Sequence, residues 1–184
     1  MAAGLVGAVS VTMAATGWGT GDGPLGPPGG GEVGVTRDVG ARFTEGLVIL
    51  HNDGWFDAHI ESVRPIPLGP ADDGLTVEDV SLARVVSDHG PIGIVDGLGE
   101  GLVPTSERRK PAGVVIPQDR SSGRDSTHLE VLATYRITHP GTWTYRGYEV
   151  TYRSGLVRHR MVVPLSVVAC APKRATPGCS AGSS

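Results

Sequence analysis

Four side chains within nine residues, His51, Asp53, Asp57 and His59 in the run HNDGWFDAH, are of types that can ligate a transition metal. On a regular strand Asp57 and His59 project to the same side, and His51 ends the strand before it. His51, Asp57 and His59 are therefore the candidate metal ligands. The same residues flank a turn, where polar side chains are expected for solvation alone. His128, His139 and His159 lie scattered on strand or loop positions and are expected to pack or to face solvent. The second pair of reactive residues is Cys170 and Cys179, with eight residues between them. No CxxC or CxxH accompanies them, so the spacing suits a disulfide in an oxidising compartment better than a zinc site. Closing so small a ring stabilises by roughly 2–3 kcal/mol at most. Two free thiols are the alternative.

Catalytic patterns are missing. There is no G-x-S-x-G, and Ser154-Gly155 reads as a hairpin turn rather than an elbow before a helix. Asp72-Asp73 and Glu78-Asp79 are adjacent carboxylates. Neighbours on a strand point opposite ways, so solvated surface accounts for them better than acid–base chemistry. Gly97-Leu98-Gly99-Glu100-Gly101 lacks the Lys-Ser/Thr of a phosphate loop. The chain is read as a non-enzyme with no catalytic residue and no cofactor. Its net charge of −3, with both signs interspersed, gives no reason to expect nucleic acid as a partner.

The elements that position these residues are strands. The 184 residues suffice for one sandwich-sized core, and 28 Gly with 14 Pro point to short strands and many turns. In THLEVLATYRIT, Leu129, Val131, Ala133, Tyr135 and Ile137 share one face, and Glu130, Thr134, Arg136 and Thr138 the other. TWTYRGYEVTYR and LVRHRMVVPLSVVAC follow, so residues 127–170 are expected as an antiparallel meander. Gly155 supplies the positive φ of its last turn. Gly147 breaks the alternation as a bulge would, which leaves Tyr148, Val150 and Tyr152 on one core-facing side. Upstream, RFTEGLVILH and WFDAHIESV are expected to form a hairpin around Asn52-Asp53-Gly54, with Phe56, Ala58 and Ile60 on one face. Prolines 65, 67 and 70 exclude a central strand there. A strand is expected within Leu75 to Val86 and a short one at Ala112 to Ile116. Glu107-Arg108-Arg109-Lys110 reads as a solvated loop.

Residues 1–21 carry no charged side chain and are expected to be a hydrophobic membrane anchor or signal segment, with Trp18 at the interface. Residues 17–34 contain twelve Gly or Pro, which predicts a flexible linker over 22–34. The domain is then 35–170, and 171–184 a disulfide-pinned flexible tail.

The run VILHNDGWFDAHIESV and the later HPGTWTYRGYEVTYRSGLVRHRMVVPLSVVAC resemble bacterial extracytoplasmic immunoglobulin-like β-sandwich domains of secreted or membrane-anchored proteins. Pro140-Gly141-Thr142-Trp143-Thr144-Tyr145 looks like the corner that places an aromatic in such sandwiches. The Cys…Trp…Cys core of antibody domains is absent. The resemblance implies an all-β, immunoglobulin-like antiparallel sandwich outside the cytoplasm, behind a hydrophobic segment and a linker. The function expected is a non-enzymatic interaction or structural module of the cell envelope. Residues 1–21 would meet the membrane, and the partner would be an envelope protein or surface ligand. An extracytoplasmic metal-binding sandwich is the alternative.

Overall fold

Alternating β-branched and aromatic residues form eleven strands among the residues that the computed structural model describes, 23–26, 31–69, 74–85, 91–118 and 128–172. They are β1 (Leu25–Gly26), β2 (Gly31–Thr36), β3 (Arg42–Asn52), β4 (Ala58–Pro67), β5 (Leu75–Arg84), β6 (Gly93–Asp96), β7 (Val115–Ile116), β8 (Leu129–Ile137), β9 (Gly141–Ser154), β10 (Val157–Val163) and β11 (Leu165–Ala171). One sheet has the order β1-β3-β8-β5, with β6 also on β3. The other has the order β2-β11-β9-β4-β7, with β10 also on β9. The described residues thus form the all-β, two-sheet sandwich that the sequence predicts. Its ladders are antiparallel except that of β2 on β11, which is parallel.

Strand partners differ from expectation in instructive ways. The predicted hairpin at Asn52-Asp53-Gly54 is instead a crossing between sheets, since β3 pairs with β8, β6 and β1 while β4 pairs with β9 and β7. The expected meander holds only for β9, β10 and β11. β8 belongs to the opposite sheet, and β10 and β11 both run along the long β9. The junction is a bulge. Four steps from Val163 to Val167 oppose three from Tyr148 to Tyr145, with Pro164 opposite Gly147. Linker composition also misleads, because β1 and much of β2 fall inside residues 22–34 and join the sheets. Pro65 and Pro67 lie in β4, which pairs along β9 on one side, while β7 covers its other side only at Ala58 and His59. Proline is tolerated where no ladder bond is required of its nitrogen.

The predicted core faces are present. Leu129, Val131, Ala133, Tyr135 and Ile137 are buried, as are Tyr148, Val150 and Tyr152. The opposite face of β8 is buried too at Glu130, Leu132 and Thr134. The segment from Ile92 through β6 to Arg108 closes over it, with Val103 and Ile92 packing on Ala83 and Leu132. Arg108, expected on a solvated loop, holds that cover in place. Its guanidinium donates to the carbonyls of Val103, at 2.9 and 3.1 Å, and of Leu98.

A carboxyl sits where the two sheets meet. Glu45 of β3 is 0% exposed and accepts a hydrogen bond from the Tyr148 hydroxyl of β9. Tyr148 lies 2.8 Å from the Tyr135 hydroxyl, and the Leu47 amide donates to the other Glu45 oxygen at 3.1 Å. Tyr135 stacks on Phe43, and Tyr145 donates across the sandwich to the Leu75 carbonyl at 3.1 Å. Desolvation raises the Glu45 pKa from an ordinary 4.5 to about 7, against the opposing hydrogen bonds from Tyr148 and Leu47. Glu130, covered on the outer face and bonded by the Ile92 amide at 2.7 Å, is likewise raised to about 7 by burial.

Two measurements test this core. Between the ordinary carboxyl range and pH 7 the folded chain keeps protons that the unfolded chain has released. Stability is therefore greatest in the acid part of that window, falls as pH rises to about 7, and then levels. Glu45 alone accounts for about 3 kcal/mol of the fall. Guanidinium midpoints at pH 5 and pH 8 should show it, and Glu45→Gln should make the fall shallower, leaving the share that belongs to Glu130; a chain more stable at pH 8 would contradict the arrangement. At the bulge, Gly147 has φ +144°, and an added Cβ would lie 2.2 Å from the Val163 carbonyl oxygen. Gly40, at φ +88°, has nothing within 4 Å of that position. Gly40→Ala should cost about 1–2 kcal/mol and Gly147→Ala more than about 3, because only the second adds a backbone clash to the strained φ.

Candidate functional site

At one end of the sandwich the chain crosses from β3 to β4 through Asp53–Asp57, and a buried asparagine shapes that crossing. Asn52 is at the end of β3, and its side-chain amide donates to the carbonyls of Phe56 at 2.9 Å and Ile116 at 3.0 Å. Its side-chain oxygen accepts from the Gly54 amide at 3.0 Å. The Ser154 hydroxyl donates to the same Phe56 carbonyl at 3.3 Å. With the backbone of 52–56 held inward, the intervening side chains are turned outward. Trp55 is 87% exposed and Phe56 62% exposed.

The neighbouring turn of β9 and β10 completes the patch. Gly155 takes φ +59°, as the two-residue turn requires, and the next residue, Leu156, is 89% exposed. A Cβ on Gly155 would stand 3.3–3.7 Å from the Phe56 ring, so the two loops touch. Trp55, Phe56 and Leu156 thus form one apolar tip. The sequence reading expected Phe56 on the core face with Ala58 and Ile60. Those two are buried, but Phe56 precedes the strand, so the alternation does not extend to it. The signal that could have found the tip was the Asn-Asp-Gly beside Trp-Phe, read as a capped loop instead of a hairpin.

The chain also enters the fold here. Pro24 lies against Gly54, where an added Cβ would be 2.4 Å from the Pro24 ring, and the Asp53 amide donates to the Pro24 carbonyl at 3.0 Å. Gly23 packs beneath the Tyr152 hydroxyl and the His159 ring, which stack at 5.0 Å. The charges around the tip pair among themselves. Arg158 lies 2.7 Å and Arg153 3.9 Å from Glu61, and His51 lies 3.0 Å from Asp53.

The residues proposed as metal ligands have other contacts. His51 pairs with Asp53 and meets the His128 ring edge-on at 5.7 Å. Asp57 accepts from the Gln118 amide at 3.1 Å. His59 sits in β4 between Val115 and Arg153. Among the described residues no three His, Cys, Asp or Glu side chains are grouped to hold a metal ion. Cys170 is buried and accepts from the Thr142 hydroxyl at 3.6 Å; Cys179 lies outside the described residues, as do the segments 1–21 and 173–184. No described helix is long and apolar enough to cross a membrane. The two carboxyls with pKa values near 7, the kind of group that acid–base chemistry uses, are sealed by the core and by the cover that starts at Ile92. A cleft of about 440 Å³ lies elsewhere, lined by Leu82, Arg84, Glu107, Arg109 and Leu129.

No family model matches the chain, and no curated protein does. Among solved structures it is similar to the ASH/PapD-like domain of human CEP192 (PapD-like domain 7), at 9% identity and a TM-score of 0.42, over 94% of this chain and 97% of that one. It is also similar to the secreted serine protease VesC from Vibrio cholerae, at 14% identity and a TM-score of 0.39. That match covers 82% of this chain but only 24% of the protease.

Proposed function

We propose that the protein is a non-enzymatic interaction module of the cell envelope, tethered or secreted outside the cytoplasm, that binds through the Trp55–Phe56–Leu156 tip. The observation that carries this reading is the exposure of three large apolar side chains on a backbone fixed by the buried Asn52. Large apolar groups gathered at one exposed place mark contact surfaces, and a preorganised loop loses little entropy on binding. Each aromatic covered removes on the order of 150–250 Å² from water. At about 25 cal/mol per Å², the tip offers several kcal/mol. The uncharged residues 1–21 support a place at the membrane, and the Cys170–Cys179 spacing supports an oxidising one.

Site-specific photocrosslinking in the full chain, produced in a bacterial host, tests the surface. Probes at 55 and 156 should give adducts, while one at the half-exposed Val162 should not. Equal yields at all three positions, or none at the tip, would refute the reading. Trp55→Ser and Leu156→Ser should leave thermal stability within about 0.5 kcal/mol, since neither side chain is in the core. For the compartment, thiol titration of the native protein should find no reactive cysteine until a reductant is added.

A further inference from the structure

We propose that the tip docks into the interfacial layer of a lipid bilayer, so that the domain lies with its Trp55–Leu156 end against the membrane. This rests on the tethered reading above and names what covers the surface. Only Asp22 separates the uncharged residues 1–21 from Gly23, which is already packed against Tyr152 and His159. Pro24 is fixed to the Asp53–Gly54 backbone of the tip itself. One extended residue spans roughly 3.5 Å. With Trp18 at the interface, residues 19–22 can set the bilayer surface at most about 17 Å from Gly23, which keeps Trp55 and Phe56 within reach of it. Residues 23–26 give no slack on this side, because β1 is paired to His51 and Asn52.

The chemistry of the tip fits such a neighbour. Tryptophan concentrates at the headgroup level, where its ring is apolar and its N–H stays hydrated. Phenylalanine and leucine add apolar area that an interfacial segment buries to a depth of about 5–10 Å. Arg158 and Arg153 both reach Glu61, and the Asp53 carboxylate lies 3.0 Å from the His51 ring. Glu61, Asp53 and Asp57 together outnumber Arg153 and Arg158, so the tip carries no excess of basic charge, and docking should need neither anionic lipid nor low salt. A protein partner or a second copy of the chain would cover the same side chains, and both are separated by the experiment.

The full chain carrying Trp18→Phe is mixed with phosphatidylcholine vesicles, and its emission is compared with that of Trp18→Phe/Trp55→Ser. The difference reports Trp55 alone, since Trp143 is common to both. Expected are a blue shift of the Trp55 signal, quenching by lipids brominated near the headgroup end of the acyl chain, and little change between 50 and 500 mM salt. Leu156→Asp should reduce the shift without loss of co-sedimentation. If the chain sediments with vesicles but the Trp55 signal stays that of water, lipid docking is wrong and tethering survives. A shift that appears without vesicles and grows with protein concentration would assign the tip to a second copy and overturn the proposal. A chain that does not sediment with vesicles at all would overturn the tethered reading as well.

Discussion

The Glu45 carboxyl cannot reach water, so its place between the sheets has to be built from protein. Tyr148 reaches it from the opposite sheet, Tyr135 bonds Tyr148 from the side, and the Leu47 amide turns back to the second oxygen. Hydrophobic faces alone would let two sheets slide past one another at little expense. A buried carboxyl with directional partners does not, because a shift of one residue would leave a polar group unpaired in a medium of low dielectric. The bulge in β3 between Glu45 and Val48 follows from the same constraint. It turns the Leu47 amide out of the ladder and toward the carboxylate.

The same device recurs wherever the chain leaves a sheet. Glu130 bonds the Ile92 amide and so holds the start of the segment that covers β8. Arg108 closes the far side of that cover on the carbonyls of Leu98 and Val103. Asn52 binds two carbonyls and one amide at the crossing from β3 to β4. In each case a short polar contact replaces ladder bonds that irregular backbone cannot make, which the burial of that backbone requires. Loops anchored in this way behave as parts of the scaffold.

Legibility follows range. Period-two alternation is a property of one strand, so the buried faces of β8 and of Tyr148, Val150 and Tyr152 could be read from the sequence. Gly155 was legible because its turn joins adjacent strands of one ladder. Partner choice is not local. Asn-Asp-Gly fits a hairpin as well as a crossing, and what decides between them is a carbonyl of Ile116, 64 residues away. Glu45 and Glu130 sit in runs that read as half-buried strands, and their burial depends on β9 in one case and on the cover that starts at Ile92 in the other. Gly26, Gly31 and Gly34 have poor intrinsic strand propensity, but pairing with β3 and β11 overrides it. The metal candidates matched in type and spacing, but spacing along a chain that crosses between sheets does not bring His51, Asp57 and His59 together.

The tip is where the chain's polar anchors and its exposed apolar side chains meet. A large exposed apolar group lowers solubility and serves no packing purpose, so a fold governed by stability alone would turn Trp55 and Phe56 inward or replace them. Here the opposite arrangement is stabilised. Asn52 and Ser154 hold the Phe56 carbonyl, the Gly155 turn lifts Leu156 to the same height, and Pro24 supports Gly54 from below. The same contacts that satisfy the buried backbone at Ile116 also reach the exposed loop, beyond the end sealed by Ala58, Ile60 and Ile116. Their effect is to fix the direction in which the aromatics point. A binding surface gains from that fixity, since side chains already ordered lose less freedom when they are covered. The polar network that sets the register of the sandwich and the network that aims the tip share one strand, β3, with Glu45 near its start and Asn52 at its end.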